Sequence, residues 1–428
     1  MSVPRLEKEL GIEVYATKAS GIGGTIRWFP EDFVVEEILL DGSKATVHEP
    51  KPVSSLVGRG RYLVCVLVKR NWDTIMATRA IAKQLDMNQE RIQIAGIKDA
   101  NALTAQHISI SRTMPEQISS VKMKDLGLYP LRFSNEKIHS KMLLGNQFHI
   151  IIREITHSSA KIEERIRNVQ DELENAGGVP NFFGHQRFGT KRAVTHLVGK
   201  HIVKGKWEKA AFTYLAKPSE FEHPESRQAR QQLWKTRDFV QAFHNFPFQL
   251  RQERMMLGHL AKHPRDFVGA FRKLPTKLCQ LFVQAYQSYL FNKFISERIK
   301  RDISLNQIQN GDYTVKVDNQ NWLALPIVGF KQPLSSGIQG EIEKEILEEE
   351  NLALEQFRIS LMPQISASGG LRTALMPIKD LFLTKPSIDS VNPSKRKVEF
   401  SFTLGKGSYA TVVLREFMKT RNPVSAGF

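Results

Sequence analysis

Cysteine is nearly absent from this 428-residue chain, which carries two, Cys65 and Cys279. Each lies in an apolar run, Tyr62-Leu63-Val64-Cys65-Val66-Leu67 and Leu278-Cys279-Gln280-Leu281-Phe282, so both read as small core residues rather than as a disulfide. No Cys/His cluster has metal-ligand spacing. Long hydrophobic runs are also missing. Nothing approaches the roughly 20 apolar residues of a membrane span, and the opening Met-Ser-Val-Pro-Arg-Leu-Glu-Lys-Glu-Leu has no signal-peptide core. A cytoplasmic protein with no membrane partner is the expectation. A GxxxxGK[ST] phosphate loop, a GxGxxG turn after a strand and an HExxH helix are lacking too. That argues against nucleotide-driven and hydride chemistry, and leaves any catalysis to ordinary side chains without a cofactor.

Acidic charge is scarce beside basic charge. Lys and Arg number 61 against 44 Asp and Glu, a net charge of +17. Such an excess favours polyanions, nucleic acid first and membrane surfaces second. It is uneven. Residues 395–428 hold seven Lys/Arg and two Glu, whereas 341–350 hold six Glu and one Lys and read as a solvated helix. The hydrophobic share of 41% and charged share of 25% are those of a globular protein. The length fits two domains.

Local patterns place the elements. "EDFVVEEILL" (31–40) is a short strand with mixed faces, and 41–60, rich in Gly, Ser, Lys and Pro, is a loop. "RYLVCVLVKR" (61–70) suits a central strand. Asn71 or Asp73 can cap the helix "TIMATRAIAKQLDM" (74–87), and a strand at 91–95 completes a β-α-β unit. "FHIIIREI" (148–155) is a strand, and a following helix is stopped by Gly177-Gly178. From 191 to about 300 the pattern is helical, most clearly over 278–295; strands follow over 312–330 around a turn at 318–321. At the end, Val398, Phe400, Phe402 and Leu404 alternate, 405–407 turns, and Ala410, Val412 and Leu414 read as a second strand. Strand-rich ends around a helical middle imply one α+β domain interrupted by an insertion.

Three stretches can carry chemistry. "AGIKDANALTAQ" (95–106) sets a lone carboxylate, Asp99, beside Lys98 between two apolar runs. Alone it fits a surface turn, or a nucleophile or base whose ionised form is supported by nearby cations. Thr104 and Gln106 can supply strand-end hydrogen bonds. "NFFGHQRFG" (181–189) interleaves Phe182, Phe183 and Phe188 with Asn181, His185, Gln186 and Arg187. Rings and amides of this kind read an unstacked base; they equally suit a loop tucked into the core, with a structural His185 and an Arg187 paired to a carboxylate. In "RWFPEDFVVEE" (27–37), Phe33 is either core or a stacking platform, and Arg27 either solvated or paired with a buried carboxylate.

Taken in order, "GGTIRWFPEDFVVEE", "AGIKDANALTAQ", "NFFGHQRFG", "QAYQSYLFN" and "LGKGSYATVVLRE" resemble the TruD family of tRNA pseudouridine synthases, over nearly the whole chain. The resemblance implies a pseudouridine synthase catalytic domain of mixed, mostly antiparallel sheet, residues 1–190 and 386–428, interrupted by an α/β insertion domain, 191–385. It implies isomerisation of a tRNA uridine, usually U13, to pseudouridine without a cofactor, with the RNA in a basic cleft between the domains. Asp99 matches the catalytic aspartate. Arg27 stands at the family's basic position and Phe33 at the aromatic of its PEDF segment. Asn181 and Phe183 match positions that contact the target base, and Tyr409 a nearby aromatic. Arg27 is the first candidate cation for Asp99 and Lys98 the second. The basic C-terminal segment and Lys191-Arg192 are expected to hold phosphates. The competing readings are a non-catalytic RNA-binding protein and a nuclease. Oligomeric state has no signature.

Overall fold

The computed structural model describes residues 2–48, 60–317 and 319–428. Most of the second half of the loop expected at 41–60, and Asp318 of the expected turn, lie outside the described residues.

A large mixed sheet organises the molecule. Its strand order is Lys379–Leu383, Arg396–Gly405, Leu143–Ile155, Phe33–Leu39, Leu103–Ser111, Tyr62–Arg70 and Leu126–Ser134. Among the described strands of this sheet only Phe33–Leu39 and Leu103–Ser111 pair in parallel; the other pairings are antiparallel. The run at 61–70 is an interior strand, next to last in this order, with partners on both sides as its apolar character requires. Its period of two separates the faces: Leu63, Cys65 and Leu67 pack beneath the helix Thr74–Gln84, while Val64 and Val66 fall in other clusters. Asp73, not Asn71, caps that helix, accepting from the backbone N–H groups of Ile75 and Met76 at 2.9 and 3.0 Å. The short strand Ile92–Ile94 then pairs with Leu103–Ser111, which also carries Phe33–Leu39 on that same edge. The connection 95–102, holding Asp99, turns back at the point where these strands converge.

The helix Ser159–Asn175 buries Ile162, Ile166, Val169 and Leu173, spaced four, three and four apart. Gly177 and Gly178 follow at φ 78° and 140°, ending it as expected. Helices then run from Thr195–Val203 to the long Thr276–Lys300, and a three-stranded sheet of Tyr313–Val317, Gln320–Ile327 and Gly370–Thr373 comes after them. The large sheet regains the chain at Lys379, ahead of the position 386 read from the sequence. The fold is α+β. Cys65 and Cys279 are free and buried. No helix among the described residues is long and apolar enough to cross a membrane.

Two expectations change. Residues 410–418 form a helix, Ala410–Met418, not a second strand. All nine residues are buried, so no polar stripe exposes the 3.6-residue period, and the β-branched Thr411-Val412-Val413 run mimics a strand. Its polar residues are paired inside: Arg415 bonds Glu7 and Glu416, and Glu416 accepts from Thr17. The acidic stretch is likewise not a uniformly solvated face. On the helix Gly337–Glu349, Glu343 is buried and accepts from Ser335 and Gln339, and burial pushes its carboxyl up to about 7.

Candidate active site

Asp99 projects into a cavity of about 480 Å³ lined also by Phe33, Lys98, Asn146, Gln186, Ser408 and Tyr409. The loop beneath it is pinned from several directions. Lys69, a lysine inside the apolar interior strand, is buried and donates to the carbonyls of Asp99 (2.6 Å) and Trp72 (2.7 Å). Burial pushes its ammonium down to about 8, against the opposing pull of Asp99 and Asp73. Thr74 accepts from the Lys98 N–H at 3.1 Å, and Gln106 donates to the Gly96 carbonyl at 3.0 Å. Rigid anchoring of this kind holds one carboxylate in place.

Arg27 is the cation that reaches it. Its Nη2 lies 3.2 Å from Asp99 Oδ1, and its Nη1 donates to the Gly427 carbonyl at 2.7 Å. The guanidinium also lies 3.9 Å over the Phe33 ring. Arg27 holds a φ of +60°, uncommon for a residue with a Cβ. Burial lowers its pKa and Asp99 opposes the shift. Lys98 lines the cavity, but its ammonium lies 2.6 Å from buried Glu37. Burial raises the Glu37 carboxyl, yet His107 and Lys98 together outweigh it and hold it below its ordinary range. A second carboxylate, Asp73, also lines the cavity, but it is engaged in capping its helix.

The cavity's rings differ in exposure. Phe33 is 1% exposed, covered by Arg27 on one face and met edge-on by Phe148 at 6.3 Å. Tyr409 is only partly buried and ends the Gly405–Ser408 turn at the start of the last helix. Burial raises its phenol, Asp99 reinforces this, and Arg187 and Arg372 oppose it, so the hydroxyl stays protonated. Phe183 stands behind Tyr409 in an edge contact at 6.2 Å, 8% exposed, with Phe291 on another side at 5.5 Å. Asn181 lies outside this cavity and lines a neighbouring one; its amide donates to Thr373 and accepts from Arg372. The structure therefore gathers Asp99, Arg27, Phe33, Lys98 and Tyr409, and sets Asn181 and Phe183 one layer back.

Other motif residues have structural positions. His185 is buried against Glu7 and Phe428, and burial, aided by Arg415, pushes its pKa down to about 3. Arg187 bonds Ser288 and Gln284 rather than a carboxylate. Arg192 donates inward to the Tyr214 and Lys217 carbonyls. Arg415 and Lys419 are buried, and Lys395 and Lys397 pair with Glu154 and Glu399. Of the basic C-terminal residues, Arg396, Lys406 and Arg421 remain without a carboxylate partner among the described residues, so fewer cations face solvent than the sequence implies. Reasoning from sequence missed Lys69, Thr74, Glu37 and Arg372. A lysine within an apolar strand and a Glu-Glu pair within another were the legible signals; Arg372 had none.

The sequence profile of "tRNA pseudouridine synthase D (TruD)" matches residues 9–323 and 318–417. The chain belongs to the TruD family. A relative from Methanosarcina acetivorans, named "Probable tRNA pseudouridine synthase D", is 40% identical over 98% of each chain. One of the same name from Methanopyrus kandleri is 40% identical over 87% of this chain and 89% of its own. The crystal structure of a Methanosarcina mazei chain assigned to TruD superposes with a TM-score of 0.81 at 38% identity, covering 99% of this chain and 100% of that one. As a TruD-family member the protein is a tRNA pseudouridine synthase, an isomerase.

Proposed function

We propose that the protein isomerises a uridine of tRNA, U13, to pseudouridine with Asp99 as its single catalytic carboxylate. The observation that carries this is the pairing of Asp99 with Arg27 at the wall of the cavity, while the other lining carboxylate, Asp73, is engaged in capping. The C1′–N1 bond breaks, uracil turns, C5 bonds to C1′, and the C5 proton is lost as N1 gains one. No electrons or groups are exchanged with a second substrate, so the reaction asks for no cofactor. Asp99 acts either by attacking C1′ or by removing a sugar proton to give a glycal. Both routes use an ionised carboxylate, and Arg27 offsets its desolvation.

Extruding the uridine costs a few kcal/mol. A base–aromatic contact returns roughly 1–3 kcal/mol. Tyr409 is the ring best placed for it, with Phe33 forming the floor beneath Arg27 and Phe183 supporting Tyr409 from behind. In this reading Lys98 and Asn181 act through the walls they hold, not by pairing with Asp99. The catalytic part is residues 1–190 and 386–428 together with the strand Lys379–Leu383 that pairs with it. The insertion within 191–385 lies across a cleft that takes the RNA. Lys191, Lys406 and Arg421 are exposed cations that would meet its phosphates. The working compartment is the cytoplasm.

Mapping pseudouridine in tRNA incubated with and without the protein tests this. A new pseudouridine at position 13, formed also in the presence of a chelator, is expected. Binding of tRNA with no pseudouridine at any position would leave the non-catalytic RNA-binding reading in its place, and chelator-sensitive cleavage the nuclease.

A further inference from the structure

Beside the Asp99 cavity lies a second one of about 250 Å³. The two share Ser408, and the same two segments divide them: Asn146 and Gly407 line the first, their neighbours Gly145 and Lys406 the second. Half-buried Trp322 forms an apolar wall of the second cavity, and the hydroxyl-bearing Thr373 and Thr403 also line it. Lys406 is exposed at its rim, and its ammonium donates to the Ser140 carbonyl at 2.5 Å.

Arg372 stands at the junction. Its Nε and Nη2 donate to the Asn181 carbonyl (3.1 Å) and Oδ1 (2.5 Å), and its guanidinium lies 4.2 Å over the Phe183 ring. Its Nη1 lies 3.5 Å from where a Cβ on Gly407, which lines the first cavity, would lie, while its partner Asn181 lines the second. Burial pushes its pKa down to about 10, so it remains charged at neutral pH. Neither Arg372 nor Arg187, which flanks the same Phe183 ring, has a carboxylate partner among the described residues. An enclosed guanidinium without a counter-ion is unfavourable unless an anion arrives with the substrate. We propose that the second cavity is a subsite for the nucleotide adjoining the target uridine, its base against Trp322 and the linking phosphate on Arg372. The proposal rests on the uridine-isomerising reading of the Asp99 cavity. It commits to a nucleotide because the occupant must be joined to whatever fills that cavity, must carry an anion at the junction, and must present an apolar face with a polar edge.

The test uses the full-length protein and RNA hairpins carrying the target uridine, with each adjoining phosphate replaced in turn by a neutral methylphosphonate. One replacement is expected to raise the wild-type KM about tenfold and to add nothing in Arg372→Met, whose KM is already raised. Equal losses in both enzymes overturn the phosphate contact. In parallel, Trp322→Ala is expected to lower kcat/KM about tenfold and flatten the preference among the four bases at one neighbouring position. Trp322→Phe, which keeps a ring and the packing, is expected to restore that preference. An unchanged preference in folded Trp322→Ala overturns the subsite. The couplings are read on wild-type product, whereas product from Asp99→Asn would count against the reading of Asp99, so the two fail separately.

Discussion

The loop 95–102 and the loop 181–189 are both dense in polar and motif residues, and the fold uses them in opposite ways. The first leaves its carboxylate on a cavity wall, with a third of the Asp99 side chain accessible. The second turns inward: Phe182 and Phe188 are fully buried, and Asn181, Phe183 and His185 nearly so. One loop presents a carboxylate to the cavity; the other builds the wall behind it. Residue type alone does not separate these uses, because a ring that stacks on a base and a ring that fills a core satisfy the same apolar preference.

The sharpest break in the comparison comes from Asp99→Asn. It should bind tRNA near normally while kcat falls by at least about 10³-fold; substantial pseudouridine from this variant ends the assignment. Next is Phe183→Ala, which should destabilise the fold by roughly 3–5 kcal/mol and lower kcat more than tRNA affinity. Phe183→Leu should recover most of the stability, as read from denaturant midpoints. A folded Phe183→Ala enzyme with unchanged kcat and weakened binding would move this ring to the RNA surface. Arg27→Met removes the cation facing Asp99 and the cover over Phe33, and should lower kcat by about 10–100-fold, since a hydrogen bond to a charged group contributes roughly 1.5–3 kcal/mol. Unaltered turnover would mean that Asp99 needs no such partner.

The smallest effect concerns pH. His185 titrates near 3 in the fold against an ordinary 6.5, so between these values the unfolded chain binds the extra proton. Its contribution to stability is complete above 6.5 and declines as pH falls toward 3. The drop in unfolding midpoint from pH 7 to 5 should therefore be smaller in His185→Gln than in the wild type. An identical drop would show that this loop is not buried as described.

Much of the fold was legible because it is local. The interior strand at 61–70, the helix ended by Gly177-Gly178 and the helical middle follow from period and punctuation. The helix Ala410–Met418 was not legible, since burial on every side erases the amphipathic stripe that would have marked it. The site was half legible. Arg27 was the first candidate cation for Asp99 and the two side chains meet at 3.2 Å, whereas Lys98, the second, lies against buried Glu37. Arg372, which lies in no motif, holds Asn181 from 191 residues away.

By itself the sequence determined the family and the order of its motifs, because these are properties of residues and their spacing. Only the tertiary structure decided which motif residues meet a cavity and which are enclosed. The reason is distance along the chain: Asp99 is held by a strand lysine 30 residues upstream, and Arg27 is anchored by a carbonyl 400 residues away. Such contacts leave no local pattern, and they convert a turn aspartate into a positioned one.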